Sequence, residues 1–293
     1  MIGMITSKKV IVEELSKKGF APRKSLGQNF LIDENILQKI VKAGEPSNSD
    51  LVLEIGPGLG ALTYDLIHKA KHIIAVEYDR GLFSILQEKL AEFENLTLLN
   101  QDIMDTDINS IFKEFSAENC TYKVIANLPY YITTPVLFKL LESGVSWKSM
   151  VFLVQKEVAQ RLTAKPGAKE YGALTVMLNF FGRVEKIAIV PKTVFYPMPQ
   201  IDSAIVRIIP DNIQYDPELY PYLRQVVQAA FGQRRKTILN SLAGIEDLSN
   251  SKETLSYRLQ ELRIDPRRRG ETLSLLEFLH LAKEIRANEY KFN

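Results

Sequence analysis

Residues 51–60 read LVLEIGPGLG, an apolar run and an acid followed by glycine at positions 56, 58 and 60. A short run of branched apolar residues is strand-like. Glycine directly after a strand lets the backbone turn sharply and approach a ligand closely. Leu62, Leu66, Ile67 and Ala70 then recur at helical spacing, so the turn opens a helix whose N-terminus favours polar or charged groups. The loop alone is ambiguous, because Gly56, Gly58 and Ala61 also satisfy the G-x-G-x-x-[GA] spacing of dinucleotide-binding proteins.

Upstream, Ile36, Leu37, Ile40 and Val41 share one helical face behind Asp33, which stands at an N-cap position. Downstream, the runs 73–77 (IIAVE), 96–100 (LTLLN), 122–126 (YKVIA) and 149–154 (SMVFLV) alternate with helical stretches. Such alternation implies parallel βαβ units and a doubly wound α/β sheet. The last two runs, 184–190 (VEKIAIV) and 203–209 (SAIVRII), are joined by a proline-rich loop with no helical pattern. They read as an antiparallel hairpin closing a seven-stranded, Rossmann-like sheet, where a dehydrogenase would continue in βαβ steps. Pro210-Asp211-Asn212 reads as a linker. Beyond it only helical patterns occur, at 220–231, 234–243, 252–263 and 274–286, the last opened by Ser274 and Glu277 at capping-box spacing. The expected organisation is an α/β domain over 1–210, with 1–30 a basic arm, and a small all-α domain over 211–293.

The chain of 293 residues is 46% hydrophobic and 25% charged, ordinary values for a globular protein. It holds no apolar run near the ~20 residues of a membrane helix. The N-terminus lacks the apolar core of a secretory signal. Cys120 is the only cysteine, and His68, His72 and His280 are scattered, so neither a disulfide nor a metal site is expected. A reducing, cytoplasmic setting and a monomer are the default expectations. Residues 1–30 carry six Lys/Arg against two Asp/Glu, whereas residues 31–210 carry 18 against 21. A basic arm ahead of a slightly acidic body suits a polyanionic partner.

Cofactors in open α/β sheets lie over the carboxyl ends of the strands. Glu77 ends the second strand, where an acid accepts both ribose hydroxyl hydrogens; Asp102 follows the third, where a carboxylate accepts from an adenine amino group. With the glycine loop they point to a nucleoside cofactor. Asn127-Leu128-Pro129-Tyr130 ends the fourth strand. An exocyclic amine is a poor nucleophile because its lone pair is delocalised into the ring. The Asn127 carboxamide oxygen and the Leu128 carbonyl can each accept one of its N–H bonds, which favours a pyramidal nitrogen aimed at an activated methyl group. Pro129 fixes the turn without a competing N–H, and Tyr130 offers a face for an extruded base.

Two flanking segments suit the same pocket. Lys24–Leu31 (KSLGQNFL) reads as a loop that folds over the methionine end of a cofactor through Gln28 and Asn29. In the loop 194–199 (VFYPMP), Phe195 is placed to clamp the base opposite Tyr130. Farther on, Arg234, Arg235 and Lys236, and Arg267, Arg268 and Arg269, form two clusters able to neutralise RNA phosphates.

These segments, together with VEYD (76–79), NQDIM (100–104), NLPYYITTP (127–135), KTVFYPMPQIDSAIVR (192–207), FGQRRKTILNSL (231–242) and RRGETLSLLEF (268–278), resemble the ribosomal RNA adenine dimethyltransferases, in particular the bacterial KsgA type. The resemblance spans nearly the whole chain. It implies S-adenosyl-L-methionine as cofactor, contacted by Asn29, Leu31, Gly56, Glu77, Asp102 and Asn127, with Gln28, Gly58 and Ile103 beside them. It implies a target pocket formed by Asn127 to Tyr130 and Phe195. The implied reaction is N6-dimethylation of two adjacent adenosines near the 3′ end of small-subunit (16S) rRNA, with the 30S particle as partner and no metal. Two other readings stay open at this point: a nicotinamide oxidoreductase, which leaves Asn127–Tyr130 unexplained, and a ribosome-assembly factor that binds RNA without turnover.

Overall fold

The computed structural model describes residues 7–23, 26–115, 119–211, 216–245, 248 and 251–292, with side chains to residue 287. Lys24, Ser25 and Asn212, which belong to segments read above, lie outside the described residues. Seven strands form one sheet: β1 (Asp50–Ile55), β2 (His72–Glu77), β3 (Leu96–Asn100), β4 (Thr121–Asn127), β5 (Trp147–Gln155), β6 (Gly182–Val190) and β7 (Ser203–Pro210). Their order is β3-β2-β1-β4-β5-β7-β6. The first five strands pair in parallel, and β7 runs antiparallel to β5. The two expected closing strands are therefore neighbours, with the later one inserted between β5 and β6.

Parallel strands are covered on both faces and read as continuous apolar runs. All six residues of β1 are buried. Ile36, Leu37, Ile40 and Val41 of helix Glu34–Gly44 pack into the same core as Leu62, Leu66, Ile67 and Ala70. Asp33 accepts the Ile36 N–H at 3.0 Å, as an N-cap should. The strand order reverses between β1 and β4, so the loops after β1, β2, β3 and β4 open at one edge around that reversal.

Three features depart from the sequence reading. Helix Lys8–Lys17 occupies much of the basic arm, with Ile11 and Leu15 buried in a cluster with Phe30, Leu59, Leu82 and Ile85. Phe30 and Leu31 pair antiparallel with Tyr196 and Phe195 in a separate two-stranded ribbon. The helix expected over 234–243 is confined to Ile238–Leu242, because the Thr237 side chain caps it by accepting from Asn240 N.

The chain also divides differently from a single cut at residue 210. One compact unit comprises residues 1–159 and 185–210; the other comprises 160–184 and 211–293. Within the second unit the buried Tyr171 hydroxyl donates to the Leu273 carbonyl at 2.8 Å, and Gly167 N donates to the Glu271 carbonyl at 2.8 Å. These long-range bonds draw residues 160–184 into the helical unit. There the Ser274–Glu277 capping box is formed in both directions. Among the described residues, no helix is long and apolar enough to cross a membrane.

At the end of the sheet away from the β1–β4 loops, Asp50 opens β1 and is fully buried. It accepts from Ser47 N (2.7 Å), Ser47 Oγ (2.8 Å), the Thr121 hydroxyl and Lys123 Nζ (2.9 Å). Burial alone pushes the Asp50 carboxyl up, but the bonds from Thr121, Lys123 and Ser47 bring it below its ordinary value. Removing one partner of a buried pair leaves an uncompensated charge. Lys123→Met is therefore expected to destabilise the sheet unit by about 3–5 kcal/mol, and Lys123→Met with Asp50→Asn to recover much of that loss. Urea denaturation of the single and double variants measures both; equal stability of Lys123→Met and wild type rules the pair out as a structural requirement.

Candidate active site

Strands β1 to β4 each deliver one part of the site at or just after the carboxyl end. After β1, Gly56 and Gly58 have left-handed φ values of 67° and 63°. At Gly58 the demand is also steric, since a Cβ there would meet the Phe30 ring at 3.3 Å. After β2, the Glu77 carboxylate divides its two oxygens. Oε2 accepts Gly58 N at 3.2 Å and Oε1 accepts Asp79 N at 2.8 Å. Burial pushes the Glu77 carboxyl up to about 7, against the lowering effect of these two N–H bonds. Glu54, in the β1 strand itself, is buried more deeply. Burial pushes its carboxyl up to about 8, with the charge of Glu77 acting in the same direction. Its Oε2 has no hydrogen-bond partner among the described residues.

Asp102 sits in the turn after β3. Its Oδ1 accepts Met104 N at 2.8 Å and its carbonyl accepts from Thr106 Oγ1 at 2.8 Å, so the turn is self-braced. Ile103 beside it is buried.

The segment 26–31 closes another side of the cleft, where Gln28 lines the wall and is held by two bonds. Its Oε1 accepts Arg23 N at 2.7 Å and its Nε2 donates to Asp79 Oδ2 at 3.0 Å, so both ends of the amide brace the protein itself. Asp79 is a junction. It caps helix Arg80–Lys89 through Gly81 N at 2.8 Å and pairs with Arg23 at 3.4 Å, its side chain almost wholly buried. Asn29 donates to the Gly27 carbonyl at 2.9 Å.

Asn127 is the last residue of β4, in register with Leu153. Its Nδ2 donates to the Asn29 carbonyl at 3.4 Å, which turns Oδ1 the other way as an acceptor. Leu128 is buried, and its N–H is spent on the Leu153 carbonyl at 3.3 Å. Pro129 leads into the turn Tyr130–Ile132. The Tyr130 hydroxyl lies 2.8 Å from Oγ of Ser203, the fully buried first residue of β7. Burial raises the Tyr130 pKa, so the ring is neutral near pH 7.

One cleft gathers Gln28, Asn29, Leu31, Gly56, Gly58, Glu77, Asp102, Ile103, Asn127, Leu128, Pro129 and Tyr130. Phe195 is not among its lining residues. That side chain is only 3% exposed, packed in the sheet core with Leu31, Val190 and Ile205. The ribbon explains this: Phe195 pairs with Leu31, which is itself buried. The expected clamp opposite Tyr130 is thus absent from this arrangement. Sequence reasoning also passed over lining residues, chiefly Glu54, Tyr78, Asp79 and Tyr131. Tyr78 and Asp79 directly follow Glu77, and an Asp one position ahead of a helical stretch was an available N-cap signal. A nucleoside cofactor suits what is present: a close-approach glycine loop and two carboxylate positions.

In the helical unit the two basic clusters are divided by use. Arg234 donates to the Tyr171 carbonyl at 2.8 Å, and Arg267 pairs with Asp265 at 3.1 Å. Arg268 binds Glu277 and the Thr272 carbonyl. Arg235, Lys236 and Arg269 are exposed and pair with none of the described residues. The first cluster lies in the turn after helix Tyr220–Gly232 and not at the start of a helix.

Comparison with known proteins agrees with this geometry. The family model "Ribosomal RNA adenine dimethylase" matches residues 19–286. A protein from Bacillus thuringiensis (strain Al Hakam) named "Ribosomal RNA small subunit methyltransferase A" is 46% identical over 275 residues, covering 92% of this chain and 94% of that protein. The crystal structure of a dimethyladenosine transferase from Plasmodium falciparum superposes with a TM-score of 0.75 at 27% identity, over 89% of this chain and 98% of the other. The 23S rRNA methyltransferase ErmE shares the fold, with a TM-score of 0.68 at 23% identity over 88% and 99% of the two chains. With a family model spanning most of its length and a relative this similar, the chain belongs to the ribosomal RNA adenine dimethylase family.

Proposed function

We propose that the protein uses S-adenosyl-L-methionine to dimethylate the N6 amines of two adjacent adenosines near the 3′ end of small-subunit rRNA, with the 30S particle as its partner. The observation that carries this reading is convergence: Glu77, Asp102 and Asn127, from the ends of three different strands, line one cleft with Tyr130. The name of the Bacillus relative supports the small subunit as the substrate.

In this reading Glu77 receives the ribose hydroxyls, and Asp102 with Ile103 receives the adenine. Gly56, Gly58, Asn29 and Leu31 line the path between ribose and methionine. Gln28 acts one step removed, by bracing that segment against Asp79. When bound, the cofactor supplies an electron-poor methyl group on a sulfonium. The protein's part is to present the amine. Asn127 Oδ1 and the Leu128 carbonyl accept its two N–H bonds, and Tyr130 supports the base with a ring fixed by Ser203. Because these acceptors are held before substrate arrives, little reorganisation is needed at the moment of transfer. Arg235, Lys236 and Arg269 grip RNA phosphates, while Arg234 and Arg268 brace the helical unit and Arg267 pairs only with neighbouring Asp265.

Three outcomes test these roles. Glu77→Ala is expected to weaken S-adenosylhomocysteine binding by about 1–3 kcal/mol, roughly tenfold to a hundredfold. A carboxyl with its pKa near 7 accepts well only when ionised. Wild-type affinity should therefore fall as pH drops below about 7 and level off above it, while Glu77→Gln shows a flatter profile. Calorimetry at pH 6 and 8 decides; wild-type affinity in Glu77→Ala removes Glu77 from the site. Asn127→Ala should slow single-turnover methylation by about 100-fold or more while leaving the fold intact, and near-normal turnover would discard its role. Glu substitutions at Arg235, Lys236 and Arg269 should weaken binding to small subunits and flatten its salt dependence by roughly one log–log unit per lost phosphate contact. Affinity for S-adenosylhomocysteine should stay within about twofold. Particle titrations at two salt concentrations that match wild type would show these residues to be merely solvated.

A further inference from the structure

Tyr131 lines the same cleft as Tyr130, yet none of the roles above uses it. The two consecutive rings are placed very differently. Tyr130 reaches inward to the buried Ser203 hydroxyl, whereas Tyr131 is 55% exposed. One edge of its ring lies over Gly27, where a Cβ would stand 3.6 Å from Tyr131 Cδ1. Its hydroxyl is near enough to Asp102, Tyr78 and Glu77 to feel them electrostatically. It makes no hydrogen bond to any described residue. Tyr78, the next residue after Glu77, is 57% exposed on the same rim. A large ring kept in water at the mouth of a cleft, without a bond that fixes its polar end, is not explained by packing.

We propose that Tyr131 is a stacking site for the nucleobase adjoining the one held at Tyr130, so that the enzyme holds two neighbouring bases of single-stranded RNA together. This rests on the assignment of Asn127–Tyr130 as the target pocket. Tyr131 lies at the exposed mouth of the cleft that Tyr130 lines from within, where a strand that sends one base inward leaves its neighbour outside. Stacking on an aromatic face tolerates any base, so the ring accepts whichever base stands on its side of the target, and it meets the second adenosine when only one of the two is in the pocket. An extruded base also loses its own stacking partners, and Tyr131 returns one of those contacts to its neighbour. Tyr131 is thus a specificity-determining residue for substrates with paired targets, acting on the base beside the reacting one.

The test uses full-length Tyr131→Ala and Tyr131→Phe with undermethylated small subunits. It measures kcat and KM for particles, the methyl count on each of the two adenosines by mass spectrometry, and S-adenosylhomocysteine affinity by calorimetry. Tyr131→Ala is expected to raise KM for particles roughly tenfold, the effect of losing one base–aromatic stack, and to accumulate particles modified on one adenosine only. Tyr131→Phe keeps the ring and should restore both readouts. S-adenosylhomocysteine affinity should stay within about twofold in each variant. The proposal is overturned if Tyr131→Ala leaves KM and the methyl pattern unchanged, or if Tyr131→Phe is as impaired as Tyr131→Ala. It is equally overturned if cofactor affinity falls in step with KM, because the ring would then be a cover for the cofactor. Asn127→Ala run alongside separates the two readings. Normal turnover in that variant removes the pocket assignment itself, whereas an inactive Asn127→Ala with an unaffected Tyr131→Ala removes only the stacking site.

Discussion

One buried carboxylate sets the geometry on which everything else at the cleft rests. Through Gly58 N on one oxygen and Asp79 N on the other, Glu77 ties the loop after β1 to the turn after β2. The residue it positions, Asp79, then fixes Gln28 and Arg23, and so the wall formed by residues 26–31. Asn29 in that wall accepts the Asn127 amide through its carbonyl. A single chain of backbone and side-chain bonds thereby links the glycine loop to the residue at the end of β4. Such a chain is costly to leave incomplete, because every member except the exposed Arg23 is buried or half-buried and loses a partner if its neighbour shifts. The same burial that makes the frame rigid lifts the Glu77 and Glu54 carboxyls to about 7 and about 8.

The sequence disclosed those parts whose causes are local. Strands β1 to β5 were legible because parallel strands covered on both faces are written as unbroken apolar runs. The site acids were legible because a doubly wound sheet places ligands where its strands end. What stayed hidden was set by distant partners. Phe195 looks like a free aromatic in a proline-rich loop, and only its pairing with Leu31 reveals that it is core. Nothing near Gln28 in sequence announces that its amide also reaches Asp79, 51 residues away. Residues 160–184 look like part of the sheet domain because nothing nearby announces the bond from Tyr171 to Leu273. Helix Lys8–Lys17 was missed because only Ile11 and Leu15 of its ten residues are buried, too thin a stripe to stand out from eight charged side chains in the surrounding arm.

The basic clusters show why counting charges is a poor guide to partners. Of six consecutive-looking cations, Arg234, Arg267 and Arg268 are committed to carbonyls and carboxylates of their own unit. Arginine suits that work because its planar fork satisfies several acceptors at once. Arg268 also reaches Glu277 while Glu277 caps Ser274 N, so one guanidinium helps set where the last helix begins.

The ribbon that joins Phe30 to Tyr196 and Leu31 to Phe195 has a consequence for when the protein acquires its cleft. One strand of it is made early in synthesis and the other only after the first six strands of the sheet. Domains assemble as the chain emerges, and contacts between distant parts of a chain form late. The wall carrying Gln28 and Asn29 cannot be locked by its ribbon until residue 196 has left the exit tunnel. A nascent chain therefore has its first strands, glycine loop and acids in place before it has a closed cleft.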